Sequence, residues 1–430
     1  MRGPDAYPTV SGVAAAARML TRRHPDLCRM RLAGESRAGR PLWLLQVGHG
    51  SRHVLVVAGP HPDEQVGGAT ALWLAEQAVW DRQRVADADL TWDILLCLDP
   101  DGAVLNETGP AGPRPAAVHY RHAYRPAAAE QPEWAGSFRV PGDELPETSA
   151  LLAVIDELRP VLQCSLHGTD VGGSWVQLTE DIPGLSEPFG KYAAELEIPV
   201  QTGTYDAIYW PTAGPGVFVM PPPGSQERFA SEPENAKGST WSRPHRHGGS
   251  TVLVEVPMWA SRKVADPAPH PDPAQAVTVL AARLRKEGAG AATALERTLP
   301  LLGDDLTGPQ GALLRGVEQA VGAVTGLADD YEGLAVTSPV PLTMAHIAAL
   351  DIAARRIPLR ATGMLLRLLD QRRLADDPDS EGGRVRARLE RRLEAGTRDL
   401  VFGMDAKWVP VGDQAELQAR TVLAAVELLP

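Results

Sequence analysis

A chain of 430 residues, 44% hydrophobic and 22% charged, is long enough for two or three packed domains and has a globular composition. Its net charge of −12 excludes a general nucleic-acid binder, which needs a basic face. No run of about 18 apolar residues occurs, so no membrane-spanning helix is expected. The opening Met1-Arg2-Gly3-Pro4 lacks the apolar core of a secretion signal, which points to a cytoplasmic protein. Cys28, Cys97 and Cys164 show no C-x-x-C spacing and are expected to be buried thiols.

Residues 7–24 read as a helix, with Ser11 as its cap and Val13, Ala17 and Leu20 on one face. A turn over 34–41 leads to buried strands over 41–47 and 53–58. A helix over 66–80 and a strand over 93–98 follow, the strand ending in Asp99-Pro100-Asp101-Gly102. Another helix is expected over 148–158 and another strand over 161–166, ending at His167. Residues 203–247, dense in Gly, Pro and Ser, carry little periodicity and read as a functional loop region. A strand over 251–256 sets Glu255 among valines. Alternating strands and helices predict an α/β fold: a mixed, mostly parallel sheet flanked by helices.

The proline-rich stretch 267–273 marks a domain boundary, giving a catalytic domain over 1–266 and a helical accessory domain over 267–430. Helices are expected near 273–285, 309–327, 343–356, 360–374, 384–397 and 413–429. This all-helical region is a candidate surface for homo-oligomer contact.

Chemistry gathers at four residues. His61 and Glu64 form an H-x-x-E pair at a strand's end, where α/β sheets place ligands. Alone, that pair is a common chance motif. His167 ends a later strand, and Glu255 lies inside another, where a lone carboxylate is costly to bury without a partner. Two imidazoles and a carboxylate are a ligand set for one Zn²⁺ with an open fourth position. Glu255 would be the carboxylate that takes a proton from metal-bound water.

These residues, in this order, resemble the M14 family of zinc metallocarboxypeptidases over roughly Tyr7 to Trp259. The Gly34–Pro41 turn is similar to the family's G-x-S-x-x-G-R-P, and Asp99–Gly102 to its N-P-D-G. The segment around His61 resembles its H-x-x-E, that around His167 the strand of the third ligand, and that around Glu255 the strand of the catalytic glutamate. The resemblance implies a zinc carboxypeptidase-like fold and metal ligands His61, Glu64 and His167. It further implies hydrolysis of a C-terminal amide bond in a peptide or N-acyl amino acid, with Glu255 as general base. The family's Asn-Arg pair for the substrate carboxylate is missing. Arg125 stands closest to it, with Tyr124 in place of Asn, while Arg121, and less well Arg114, suits the oxyanion. His119 and His122 beside them could touch substrate or lie exposed. The family's mobile tyrosine has no counterpart between Pro211 and Glu255; Tyr205 and Tyr209 come earlier, and His245 and His247 are alternatives. The altered pocket leaves a second reading, a deacylase or amidase acting on a small molecule or modified biosynthetic peptide. A third is a peptidase fold that binds without turnover.

Overall fold

The computed structural model describes residues 5–107, 109, 111–140, 142–221, 238–303, 306–374 and 376–429. Helix α1 (Val10–Arg23) is capped by Thr9, whose hydroxyl accepts from Gly12 N; Ser11, the expected cap, lies inside the first turn. Next come β1 (Cys28–Glu35), β2 (Pro41–Gly48), β3 (Arg52–Val57), α2 (Gly67–Trp80), α3 (Arg82–Asp87) and β4 (Leu90–Leu95). The short helices α4 (Pro100–Asn106), α5 (Ala116–His122) and α6 (Ala135–Phe138) precede α7 (Pro146–Leu158). Strands β5 (Leu162–Gly172) and β6 (Trp175–Leu178), helix α8 (Ser186–Glu195), and strands β7 (Thr212–Gly214), β8 (Val217–Val219) and β9 (Ser250–Ala260) follow. The rest is α9 (Pro273–Leu302), α10 (Gly308–Thr337), α11 (Met344–Gln371), α12 (Glu381–Met404), β10 (Lys407–Trp408) and α13 (Val411–Glu427).

The sheet runs β1-β2-β4-β3-β5-β9-β6-β8-β7, with β10 added against β9. It is parallel across β4, β3, β5 and β9 and antiparallel toward β1 and β2 and where β6 and β10 join β9. The two-residue period of a strand divides the core between its faces. Val54 and Val56 of β3 join Leu45 and Val47 of β2 in the larger core, which takes in α2 and α13. Leu55 and Val57 turn the other way, onto Leu151, Val154 and Ile155 of α7. Both faces are covered, which is why these strands read as unbroken apolar runs.

Helices α9 to α12 form the expected C-terminal helical region. Two helices were expected across residues 343–374, but α11 is continuous through Pro358. Proline removes one intrahelical donor there without ending the helix. The final segment returns to the sheet: β10 pairs with β9, and α13 packs on α2, α8 and β9. Among the described residues no helix is long and apolar enough to cross a membrane.

Candidate metal centre and its crevice

The parallel strands β3, β5 and β9 bring the predicted ligands to one end of the sheet. Strand β3 gives out at Val57, and His61 to Glu64 occupy the turn before α2, closed by a Glu64 N to His61 O bond of 3.2 Å. His167 on β5 is the register partner of Glu255 on β9. The Nδ1 atoms of both imidazoles face one carboxylate: His61 is 2.9 Å from Glu64 Oε1 and His167 is 3.1 Å from Glu64 Oε2. Gly168 N also donates to Glu64 Oε2, at 3.0 Å, locking that carboxylate in place. Among the described residues this buried trio forms a cluster able to hold a metal ion, its ligand atoms within 4.8 Å of one another. Two imidazole nitrogens and one carboxylate fit a zinc site that keeps a position open.

The electrostatics agree with that fit. Burial opposes charge on Glu64, but His61, Arg125 and two imidazole hydrogen bonds hold its carboxyl well below the usual range. Burial also opposes charge on His167, yet Glu133 and Glu64 keep its proton affinity well above normal. A metal bound here would displace protons, because its ligands bind it deprotonated. Glu255 sits 3.9 Å from His167 Nδ1 through Oε1, while its buried Oε2 has no hydrogen-bond partner. Burial and the nearby charge of Glu64 push the Glu255 carboxyl up to about 8.

His167 has a second carboxylate behind it, which the sequence reading missed. Its Nε2 lies 3.0 Å from Glu133 Oε2, and Glu133 also accepts from Ser165 Oγ at 2.7 Å and Trp241 Nε1 at 2.8 Å. A histidine held this way at one nitrogen presents the other toward a metal. Glu133 stands in a loop without periodicity, in the segment after Arg125 that offered no candidate.

The arginines fall differently from expectation. Arg121, expected at the oxyanion, lies outside the crevice, where it pairs with Asp370 of α11. Arg114 donates to Gln65 and lies over the Tyr7 ring, also outside. Arg125, expected to grip a substrate carboxylate, reaches Glu64 Oε1 at 2.6 Å and Asp63 at 3.0 Å. It stands beside the trio. Tyr124 is buried, its main-chain N–H bonded to Asn106. Tyr209 bonds Thr337 and Tyr205 packs on Tyr331, neither lining the crevice. His245 and His247 precede the first residue of β9, and His247 is tied to Asp156 of α7. Five residues of strand, roughly 3.3 Å each, separate that end from Glu255. His119 is buried against Trp259, and neither it nor His122 lines the crevice.

The crevice has a volume of about 270 Å³ and is walled by Trp134, Trp175, Trp210 and Trp241. Asp206, Arg356 and Arg360 also line it. The two arginines come from α11, which no sequence signal connected to the metal ligands.

Residues 13–176 match the family model described as zinc carboxypeptidase. That span includes His61, Glu64 and His167 and stops short of Glu255. No curated protein matches the chain. Among solved structures, bovine thrombin-activatable fibrinolysis inhibitor is 14% identical, covering 58% of this chain and 86% of its own, with a TM-score of 0.35. A metallo-carboxypeptidase from Burkholderia cenocepacia is 18% identical, covering 59% of this chain and 60% of its own, with a TM-score of 0.37. Carboxypeptidase A from Helicoverpa armigera is 16% identical, covering 59% of this chain and 65% of its own, with a TM-score of 0.39. This chain therefore spans less than two thirds of the latter two, and no substrate or activity follows from these likenesses.

Proposed function

We propose, from the match of residues 13–176 to the zinc carboxypeptidase model, that the protein is a zinc-dependent hydrolase of a C-terminal amide or peptide bond. The observation that carries the reading is Glu255, a half-buried carboxylate whose inner oxygen has no hydrogen-bond partner, 3.9 Å from the nitrogen that His167 turns to Glu64. His61, Glu64 and His167 would hold one Zn²⁺, which when bound supplies a Lewis acid and an acidified water. Glu255, 3.9 Å from His167 Nδ1, stands where a carboxylate could take a proton and return it to a leaving amine. Arg125 places a fixed positive charge beside Glu64, where it can steady an oxyanion. The tryptophan walls supply an apolar surface for the bound substrate. The substrate class is a peptide or N-acyl amino acid.

A deacylase or amidase acting on a small molecule or modified peptide is the second reading. It is favoured by the commitment of Arg125 to Asp63 and Glu64, which takes it away from the carboxylate role. A binding protein without turnover is disfavoured because ligands and base are all assembled at one point. The test is hydrolysis of a panel of N-acyl amino acids and their C-terminal amides by zinc-loaded wild type and Glu255→Gln. The variant should keep zinc and lose roughly 10²- to 10⁴-fold in rate. A zinc-loaded wild type inert on the whole panel, or a variant of undiminished rate, sinks the hydrolase reading.

A further inference from the structure

We propose that Arg356, on α11 of the helical C-terminal region, is the specificity-determining residue that grips an anionic group of the substrate, a carboxylate, at the wall of the crevice. The proposal rests on the hydrolase reading for the word substrate, but binding of a carboxylate can be measured without turnover. Arg356 lies far outside the matched residues 13–176, so nothing in the family resemblance assigns it.

Three guanidiniums line the crevice, Arg125, Arg356 and Arg360, and two buried carboxylates behind them, Asp63 and Asp170, hold all three. Asp63 is 3.0 Å from Arg125 and 3.2 Å from Arg360; Asp170 is 3.4 Å from both Arg360 and Arg356. Asp170 also accepts from the Tyr120 hydroxyl at 2.6 Å, which divides its charge further. Glu64 and Asp206 line the same crevice, so the acids at least match the three guanidiniums in number, and what distinguishes the arginines is how each is held. Arg125 spends its reach on Glu64, and Arg360 bridges both aspartates.

Arg356 is the arginine left with capacity. Its Nη1 donates to the Thr169 hydroxyl at 2.8 Å and touches Asp170 only at 3.4 Å, while its buried Nε has no partner. A guanidinium carries five donors in a planar fork that matches a carboxylate's two oxygens. Thr169 follows His167 by two residues on β5, so its hydroxyl aims the guanidinium into the same crevice as the trio. Asp206 also lines the crevice and acts on Arg356 through space, but the ion pair that Arg356 makes is with Asp170.

The helix that carries Arg356 is seated firmly. A Cβ on Gly363 would fall 1.8 Å from Tyr120 O, so α11 packs directly on the backbone of α5. A Cβ on Gly316 of α10 would fall 2.5 Å from Arg125 O. Close backbone approach of this kind fixes the guanidinium relative to the trio.

The probe is N-acetyl-L-phenylalanine against its C-terminal amide, chosen because an aromatic body suits the tryptophan walls. Binding is followed by calorimetry on the full-length protein stripped of metal, so that no carboxylate can bind a cation instead. Wild type should prefer the acid by roughly tenfold or more, the worth of a charge-assisted pair. Arg356→Gln should erase the preference, Arg356→Lys should keep part of it, and Arg121→Ala should match wild type. Thr169→Ala, which frees the guanidinium without changing charge, should weaken it, and it serves where Arg356→Gln fails to fold by circular dichroism. A wild type without preference, or one that survives both Arg356→Gln and Thr169→Ala, overturns the proposal. A preference that stands while the zinc-loaded protein hydrolyses nothing removes the hydrolase reading and leaves the anion site.

Discussion

The side-chain amide of Gln418 donates to the main-chain carbonyl of His167 at 2.5 Å and to that of Val254 at 2.9 Å. Its own oxygen accepts from the Thr70 hydroxyl at 2.6 Å. One buried amide on α13 therefore joins α2, β5 and β9 directly behind the third ligand and the residue preceding Glu255. Near the other end of the chain, Tyr7 donates to Gln414 on the same helix, at 2.9 Å.

Gln418→Leu should accordingly take a side-chain donor from two buried carbonyls and leave the Thr70 hydroxyl only its 3.5 Å bond to Val66 O. A loss of roughly 2–4 kcal/mol of stability is expected in chemical denaturation. Truncation after residue 266 also deletes β10 and the whole of α13, and should yield a fragment without a cooperative unfolding transition. A 1–266 fragment that unfolds cooperatively and retains zinc would contradict this and would favour an independent first domain.

Glu133→Gln should loosen the metal without unfolding the chain. The glutamine side chain can still meet Ser165, but it no longer offers His167 Nε2 a full negative charge. Outer partners of this kind are worth roughly 10- to 100-fold in metal affinity. Competition with a chromogenic chelator measures it. An unchanged affinity would mean that the Glu133 contact does not orient His167 toward the metal.

The trio and Glu255 were legible because each falls at the end of, or within, an apolar run that could only be a buried strand. Parallel strands then bring such ends together whatever lies between them. Strand β1 was not recognised: it is the edge strand, and Arg29 and Arg31 leave its pattern half-exposed. The places of the arginines were not legible for a related reason. Arg121 and Arg125 are four residues apart, yet α5 ends at His122, so one side chain goes to Asp370 of α11 and the other to Glu64. Order along the chain does not carry that information. Arg356 and Arg360 could not be foreseen at all, because a pair at helical spacing reads as a solvated face until the helix is docked.

Docking of α11 can be tested at its closest point. Gly363→Val would force a side chain into the Tyr120 carbonyl, which a Cβ already meets at 1.8 Å. Overpacking of this order costs about 1–3 kcal/mol. A fall in melting temperature is expected, together with weaker binding of the acid probe because Arg356 moves with the helix. A variant with unchanged melting temperature would show that the α5–α11 contact yields without strain.

Asp99 gives a pH dependence of definite sign. It caps α4, accepting from Gly102 N at 2.9 Å, and Ala38 N, Ser36 and Arg40 bind the neighbouring Asp101, so the two motif turns clasp each other. The outer oxygen of Asp99 is buried without a hydrogen bond, Arg37 comes no nearer than 4.0 Å, and burial pushes the carboxyl up to about 7. A carboxyl raised in the folded state binds more protons there than when unfolded. Stability should therefore fall as pH rises from about 4 to 7 and level off above. At about 1.4 kcal/mol per unit, the Asp99 contribution is on the order of 4 kcal/mol. Asp99→Asn keeps the capping oxygen and adds a donor beside Glu147, whose Oε2 also has no partner. The variant should be the more stable protein at pH 8 and lose that advantage near pH 4, as followed by urea unfolding at both pH values. Equal stability of the two proteins at pH 8 would show that Asp99 is ionised at no cost, with Arg37 near enough to hold its charge.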